Sequence, residues 1–315
     1  MFSCLAVSTE STIGTHNLII LGDYAGSDGH VYGSAIIGGN VSGISNGSGG
    51  YTNNLEIGSR LTSANGYDGD VDAVIVLGDI NASQIRTLNG SSIVYGGALN
   101  ANVDSHIPRR TASASDIAYA NSVLNQVYTD SVVLKNLQTN GNFSNSNFSY
   151  TGSEQLAVFN VSAQDLSLPN QELRLNKGLA DTVVINVSGK NVTFTGNNVG
   201  NSGFDLASAP NIVWNFYEAE TVDFMNYSPK GSIIAPYAVV SGGDFDGAVA
   251  AKSYTGNRQF HFYLFDGSGD ITPSSNPNST PVVSAPSNTA FILLIPILVL
   301  LNRLNKRQSC HVACA

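Results

Sequence analysis

The sequence predicts an all-β protein: a right-handed β-solenoid-like body, one long amphipathic helix packed alongside it, and a short hydrophobic helix at the C-terminus. Three observations carry this. Charged residues are only 12% of the 315-residue chain while Gly numbers 32, and Asn, Ser and Thr recur throughout. Low charge with many β-branched residues and glycines is the composition of an extracellular-type β surface. In the first hundred residues short β runs closed by Gly-Asp or Gly-Gly-Asn return, and after them a glycine-free span with helical spacing interrupts the strand signals once.

Taken in chain order, residues 1–14 begin with Met1-Phe-Ser-Cys-Leu-Ala-Val-Ser8, which lacks a charged n-region and is too short for an apolar h-region. The stretch is read as the remnant of an export signal. The body then runs from 15 to 269. Within it Leu18-Ile-Ile-Leu-Gly-Asp23 returns as Val74-Ile-Val-Leu-Gly-Asp79, and Val31–Val41 returns loosely as Ile93–Val103. Repeated β runs with glycine at the φ > 0 corners suggest stacked coils, with a sandwich as the alternative because the echo has no fixed period. Ile117, Ala120, Leu124, Val127, Ser131 and Leu134 lie three or four apart, predicting a helix over about 113–138 whose apolar stripe covers the core.

From 155 onwards strand signals resume at Leu156–Val161, Glu172–Leu175, Thr182–Val187, Val192–Thr195, Asn211–Phe216, Ser232–Ile234, Ala238–Val240, Ala248–Ala250 and Gln259–Phe265. Pro236 is expected to end the strand before it, since proline cannot donate within a ladder. Alternation puts Ile212, Trp214 and Phe216 on one face, expected to be core rather than a sugar-stacking platform. Residues 270–289 are a polar Pro/Ser/Asn linker. The tail, 290–315, contains the apolar run Ala290–Leu301 followed by Arg303, Lys306 and Arg307. An apolar run ending at a basic cluster fits membrane insertion, yet twelve residues reach only about 18 Å against a hydrocarbon core of about 30 Å. That length suits a sorting or processing signal better than a permanent anchor.

Composition also excludes partners. A net charge of −9 without a basic patch in the body argues against nucleic acid. Cysteine occurs only at positions 4, 310 and 314, so the body relies on its core rather than on disulfides. Asp68, Asp70 and Asp72 alternate, but Ala73 stands where a calcium loop needs glycine and a strand follows, so an EF-hand is rejected. Asp244, Asp246, Asp266 and Asp270 flank Gly turns and are the candidate calcium ligands, set against the plain reading of solvated turn aspartates. No other cofactor is indicated. The five histidines lack ligand spacing, and His261 is expected to be a packed structural imidazole. No pair of carboxylates is fixed by spacing, so no catalytic residue is assigned.

Two stretches carry a family resemblance. One is Asn17-Leu-Ile-Ile-Leu-Gly-Asp23 followed by Val31-Tyr-Gly-Ser-Ala-Ile-Ile-Gly-Gly-Asn-Val41. The other runs from Ile212-Val-Trp-Asn-Phe216 through Gly231–Ala238 and Asp246–Ser253 to Gln259-Phe-His261 and Phe265-Asp-Gly267. Together they resemble the choice-of-anchor A domain, a bacterial surface module regarded as adhesive, over about 15–267. The tail resembles the PEP-CTERM sorting signal, with Val283, Ala285 and Pro286 in its motif and Arg303, Lys306 and Arg307 at its basic end. It departs from that pattern in lacking the usual Glu and in continuing through Gln308–Ala315. The resemblance implies an exported, non-catalytic adhesin of the cell envelope or extracellular matrix, with a polysaccharide or cell-surface ligand, exosortase-type sorting machinery and membrane contact through 290–301. The alternatives are a polysaccharide-degrading enzyme on a β-helical frame and, third, an ice-binding protein; irregular Thr spacing speaks against the last.

Overall fold

The computed structural model describes residues 11–26, 29–43, 54–61, 72–167, 172–195 and 202–267. They are mostly strand with few helices, and among the described residues no sheet closes into a barrel. The spine is a sheet of ten parallel strands. In chain order these are β1 (Leu18–Ile20), β2 (Ala35–Ile37), β3 (Asp72–Val76), β4 (Ser92–Tyr95) and β5 (Arg109–Thr111). The second half supplies β6 (Leu156–Ser162), β7 (Thr182–Ser188), β8 (Ile212–Asn215), β9 (Ser232–Ser241) and β10 (Val249–Gly256). Side by side they run β5-β4-β3-β2-β1-β10-β9-β8-β7-β6. The two halves meet where Leu18, Ile19 and Ile20 pair with Val249, Ala250 and Ala251. Every spine pairing is parallel, unlike the antiparallel sheets of a sandwich.

This order obliges the chain to return from one edge to the other between β5 and β6. Ten strands at about 4.8 Å spacing span about 43 Å. Helix α1, the 22 residues Ala114–Lys135, covers about 33 Å of that distance at 1.5 Å per residue. Ser113 caps it: its hydroxyl accepts from Asp116 N–H, and the Asp116 carboxylate accepts from Ser113 N–H at 2.7 Å. Arg110, in the edge strand, donates to both Asp116 and Asp72 and ties the cap to the sheet.

Alternation along the spine separates two cores. Leu18, Ile20, Val74, Val76, Val183, Ile185, Ile212 and Trp214 point into the body. Ile19, Ile75, Val184, Val213 and Ile234 point outward and pack with Ala120, Leu124, Val127 and Leu134 of α1. Both sides of this sheet are therefore buried. Ile117 departs from the expected stripe: it is 41% exposed, as are Tyr119, Tyr128 and Val132 to similar degrees, so α1 carries apolar side chains beyond its buried face. Beneath the helix three polar residues are fully enclosed. Asn215 donates to Asn186 Oδ1 at 2.8 Å and to the Ser131 carbonyl at 2.9 Å, Ser131 donates to Asn215 Oδ1, and Asn186 donates to the Leu134 carbonyl at 2.9 Å. The last bond satisfies a carbonyl in the helix's final turn.

After each early spine strand the chain turns twice more. Tyr24–Gly26, Val41–Ser42 and Ile80–Asn81 form a second parallel ladder, and His30–Val31, Asn54–Ile57 and Gln84–Thr87 form a third. In the second half β9 and β10 run through the first and second ladders as single strands. Pro236 therefore bends a strand instead of ending it, because the ladder register shifts between Ala235 and Val239 and no ladder donor is needed there.

The first corner explains the sequence echo. Leu21-Gly22-Asp23, Gly38-Gly39-Asn40 and Leu77-Gly78-Asp79 stack on one another, with Gly39 N–H on Gly22 O at 2.8 Å and Gly78 N–H on Gly39 O at 3.0 Å. Side chains continue the stack: Asn40 N–H donates to Asp23 Oδ1, Asp79 N–H to Asn40 Oδ1, and Ala98 N–H to Asp79 Oδ1, each at 2.7–2.8 Å. A Cβ on Gly78 would lie 2.5 Å from Asn40 Oδ1 and 2.7 Å from Gly39 O, so the corner admits only glycine without displacement.

Candidate binding face

The second ladder is not covered by any described element. Its neighbours in register run Asn191–Thr193, Thr221–Asp223, Val239–Ser241, Ser253–Thr255, Tyr24–Ala25, Val41–Ser42 and Ile80–Asn81. The inward residues Val192, Val222, Val240, Tyr254, Tyr24, Val41 and Ile80 are fully buried. Outward stand Thr193, Asp223, Ser241, Thr255, Ala25, Ser42 and Asn81 in one row. Beside it runs a second row, Asn191, Thr221, Val239 and Ser253, continued by Asp23, Asn40 and Asp79 of the corner stack. Parallel pairing spaces neighbours within a row by about 4.8 Å, and the two rows lie about 6.7 Å apart along the strands. Neighbouring side chains bond along the rows: Thr221 donates to Asn191 Oδ1 at 2.9 Å, and Asn100 donates to Asn81 Oδ1 at 2.8 Å. The result is a two-row array in register, mostly of hydroxyl, amide and carboxylate groups, with Ala25 and Val239 among them.

Sequence reasoning missed this face, although a signal was present. Asn191-Val-Thr193 and Thr221-Val-Asp223 are polar–Val–polar triads, each a three-residue strand seen edge-on. Thr appears in the array only at Thr193 and Thr255 of the first row and Thr221 of the second, and never at neighbouring positions of a row.

On the third ladder a charged cluster gathers around Asp246, whose side chain is 8% exposed. One carboxylate oxygen pairs with Lys230 Nζ, and the other meets His261 Nδ1 at 2.7 Å. Burial alone raises this carboxyl, but the bonds from His261 and Lys230 outweigh it and hold it below its ordinary value. His261 Nε2 lies 3.2 Å from Gln259 Oε1, which also accepts from the Tyr32 hydroxyl, and the Tyr32 ring meets the imidazole edge-on. Every polar atom of His261 is thus engaged, as expected of a packed structural imidazole. Trp214 is fully buried, donating from Nε1 to the Lys230 carbonyl and stacked on Phe204.

Three of the four candidate calcium ligands, Asp244, Asp246 and Asp266, are among the described residues. Asp244 accepts from Gln259 N–H at 3.1 Å, Asp246 is held by Lys230 and His261, and Asp266 is exposed beside Pro210; Asp270 lies outside the described residues. Among the described residues no group of three or more His, Cys, Asp or Glu side chains is arranged to hold a metal ion. The sorting-motif residues Val283, Ala285, Pro286, Arg303, Lys306 and Arg307, the apolar run 290–301 and residues 1–10 also lie outside the described residues. Among those that are described, no helix is long and apolar enough to cross a membrane.

No curated protein and no solved structure matches the chain. A family model does: the ice-binding-like adhesive domain matches residues 10–262, which takes in the three ladders, α1 and the Asp246 cluster. The family description, adhesive rather than enzymatic, agrees with a surface or extracellular binding role. The chain belongs to the ice-binding-like adhesive domain family.

Proposed function

We propose that this protein is a non-catalytic adhesin of the bacterial cell envelope or extracellular matrix, and that the two-row polar ladder is its adhesive face. The carrying observation is the contrast between that face and the spine. The spine and the second ladder belong to the same coils, yet the spine is sealed under α1 while the second ladder is open and displays small polar groups at fixed intervals. A rigid periodic array loses little conformational entropy on docking to a repetitive polymer or surface. In this reading the body is a right-handed solenoid of three-faced coils with α1 as its strut. Choice-of-anchor A is the finer family, and the tail is an exosortase-type sorting signal touching the membrane through 290–301.

The test is attachment. Purified body coated on a surface should retain polysaccharide or cells, and Thr255→Arg with Ser241→Arg should abolish retention without lowering the melting temperature. Release of new reducing ends from any bacterial or algal polysaccharide would instead establish the enzyme reading. Thermal hysteresis should be absent, because Thr never occupies neighbouring positions of a row. For the tail, mass spectrometry of the mature protein decides: a C-terminus upstream of Ala290 means a processed signal, and an intact Arg303–Arg307 means a retained anchor.

A further inference from the structure

Most tyrosines of this protein that lie near the spine are either sealed inside or engaged from outside. Tyr24, Tyr227 and Tyr254 are buried in the body, and Tyr119 accepts or donates at His16 Nε2 at 2.9 Å. Tyr128 and Tyr237 differ. They are 36% and 48% exposed, their ring centroids are 5.5 Å apart at a tilt of 53°, and neither hydroxyl bonds to another described residue. Tyr128 comes from α1 and Tyr237 from the bend of β9, so the pair sits on the seam between the helix and the open ladder. Val132, one helical turn after Tyr128, and Val239, two residues after Tyr237 on the same side of the strand, are 52% and 38% exposed.

Four large apolar side chains exposed next to each other on a rigid seam are not required by packing, since the helix already buries Ala120, Leu124, Val127 and Leu134. What sets this patch apart is its border. Val239 belongs to the polar array, flanked in register by Thr221 and Ser253. An apolar aromatic platform with hydroxyl groups along one margin matches a pyranose ring, which has an apolar C–H face and a polar rim. Charge points to a neutral sugar. The nearby Glu220 is paired with Lys190 and also sees Lys252, while Lys190 also sees Glu218; Lys135, three residues after Val132 on α1, lies over the Tyr217 ring and adds a third cation. With a chain of net charge −9 and Asp23, Asp79 and Asp223 in the adjoining rows, one extra lysine is little attraction for a polyanion.

We infer that Tyr128 and Tyr237 form a stacking platform for a neutral pyranose polysaccharide, which then extends onto the polar ladder. This inference rests on the adhesive reading and names its ligand class. The experiment is native gel electrophoresis of the full chain through gels containing hydroxyethylcellulose, galactomannan or, as anionic comparison, alginate. A neutral glycan should retard the protein. Tyr237→Ala should weaken that retardation by about tenfold, the equivalent of about 1.4 kcal/mol. Tyr237→Phe should stay within about twofold, because the hydroxyl has no partner to lose. Tyr128→Ala, with thermal melts to confirm folding, gives an independent variant.

Retardation by alginate alone, by none of the gels, or unchanged by either alanine variant overturns the platform. Attachment of target cells to the coated protein separates this failure from that of the adhesive reading. Attachment unaffected by the tyrosine variants sinks only the platform, whereas no attachment at all sinks the reading beneath it. Attachment lost after protease treatment of the target cells but kept after periodate identifies a protein partner and also overturns the glycan.

Discussion

The spine and the open ladder are built from the same parallel coils, and differ in what their outward residues do. On the spine these are Ile19, Ile75, Val184, Val213 and Ile234, sealed under α1; on the open ladder they are Asn, Ser, Thr and Asp, with Ala25 and Val239 the two apolar members. Backbone geometry alone does not decide which face is covered. The outward side chains do, because only an aliphatic face repays the helix for losing its freedom in solution. A ladder left polar stays open.

The comparison can be broken first by charge. Val213→Asp places a carboxylate beneath α1 with no cation to meet it and is expected to cost about 3–5 kcal/mol in urea unfolding. Thr255→Asp, on the open ladder, should change stability by no more than about 0.5 kcal/mol. Equal effects at the two sites would mean that the helix does not seal the spine. The polar cluster under the helix comes next. Asn215→Ala removes the partner of Asn186 and Ser131 and should cost about 1–3 kcal/mol by the same measurement, since their buried polar groups would go unpaired.

A smaller effect concerns pH. His16 bonds Ser34 Oγ at 2.8 Å and Tyr119 Oη at 2.9 Å, and burial lowers its pKa from 6.5 to about 4. The unfolded chain therefore takes up this proton first on acidification. His16's contribution is present in full above about 6.5 and is lost as pH falls towards about 4. Melting temperatures measured across that window should decline, and His16→Gln should flatten the decline. The smallest expected effect is that of EDTA: no shift in melting temperature, because the buried Asp246 carboxylate already has Lys230 and His261. A clear drop would favour a calcium site drawn from Asp244, Asp266 and Asp270.

Parts of the fold could be seen without coordinates. The repeated Leu-Gly-Asp and Gly-Gly-Asn corners were visible because a stacked glycine tolerates no Cβ, so each coil must repeat the residue. Five positions of the helical stripe are buried as their spacing implied, while Ile117 is not, since it precedes the point where α1 settles against the sheet. Ile212, Trp214 and Phe216 are core because alternation is a local property of a strand. The partners of Asp246 were not legible for the opposite reason: proximity in sequence does not say which carboxylate a lysine and a histidine will claim.

By itself, then, the sequence determined the β character, the glycine corners, the position of the helix and the inward face of the longer strands, all of which follow from steric and hydrophobic rules acting over a few residues. Only the tertiary structure decided that the two halves of the chain meet at β1 and β10, that Asn186 and Asn215 lie beneath the helix, and that short polar triads far apart in the chain join into one array. Those outcomes depend on which strands become neighbours, and strand order is set by how the whole chain closes its core rather than by any segment of it.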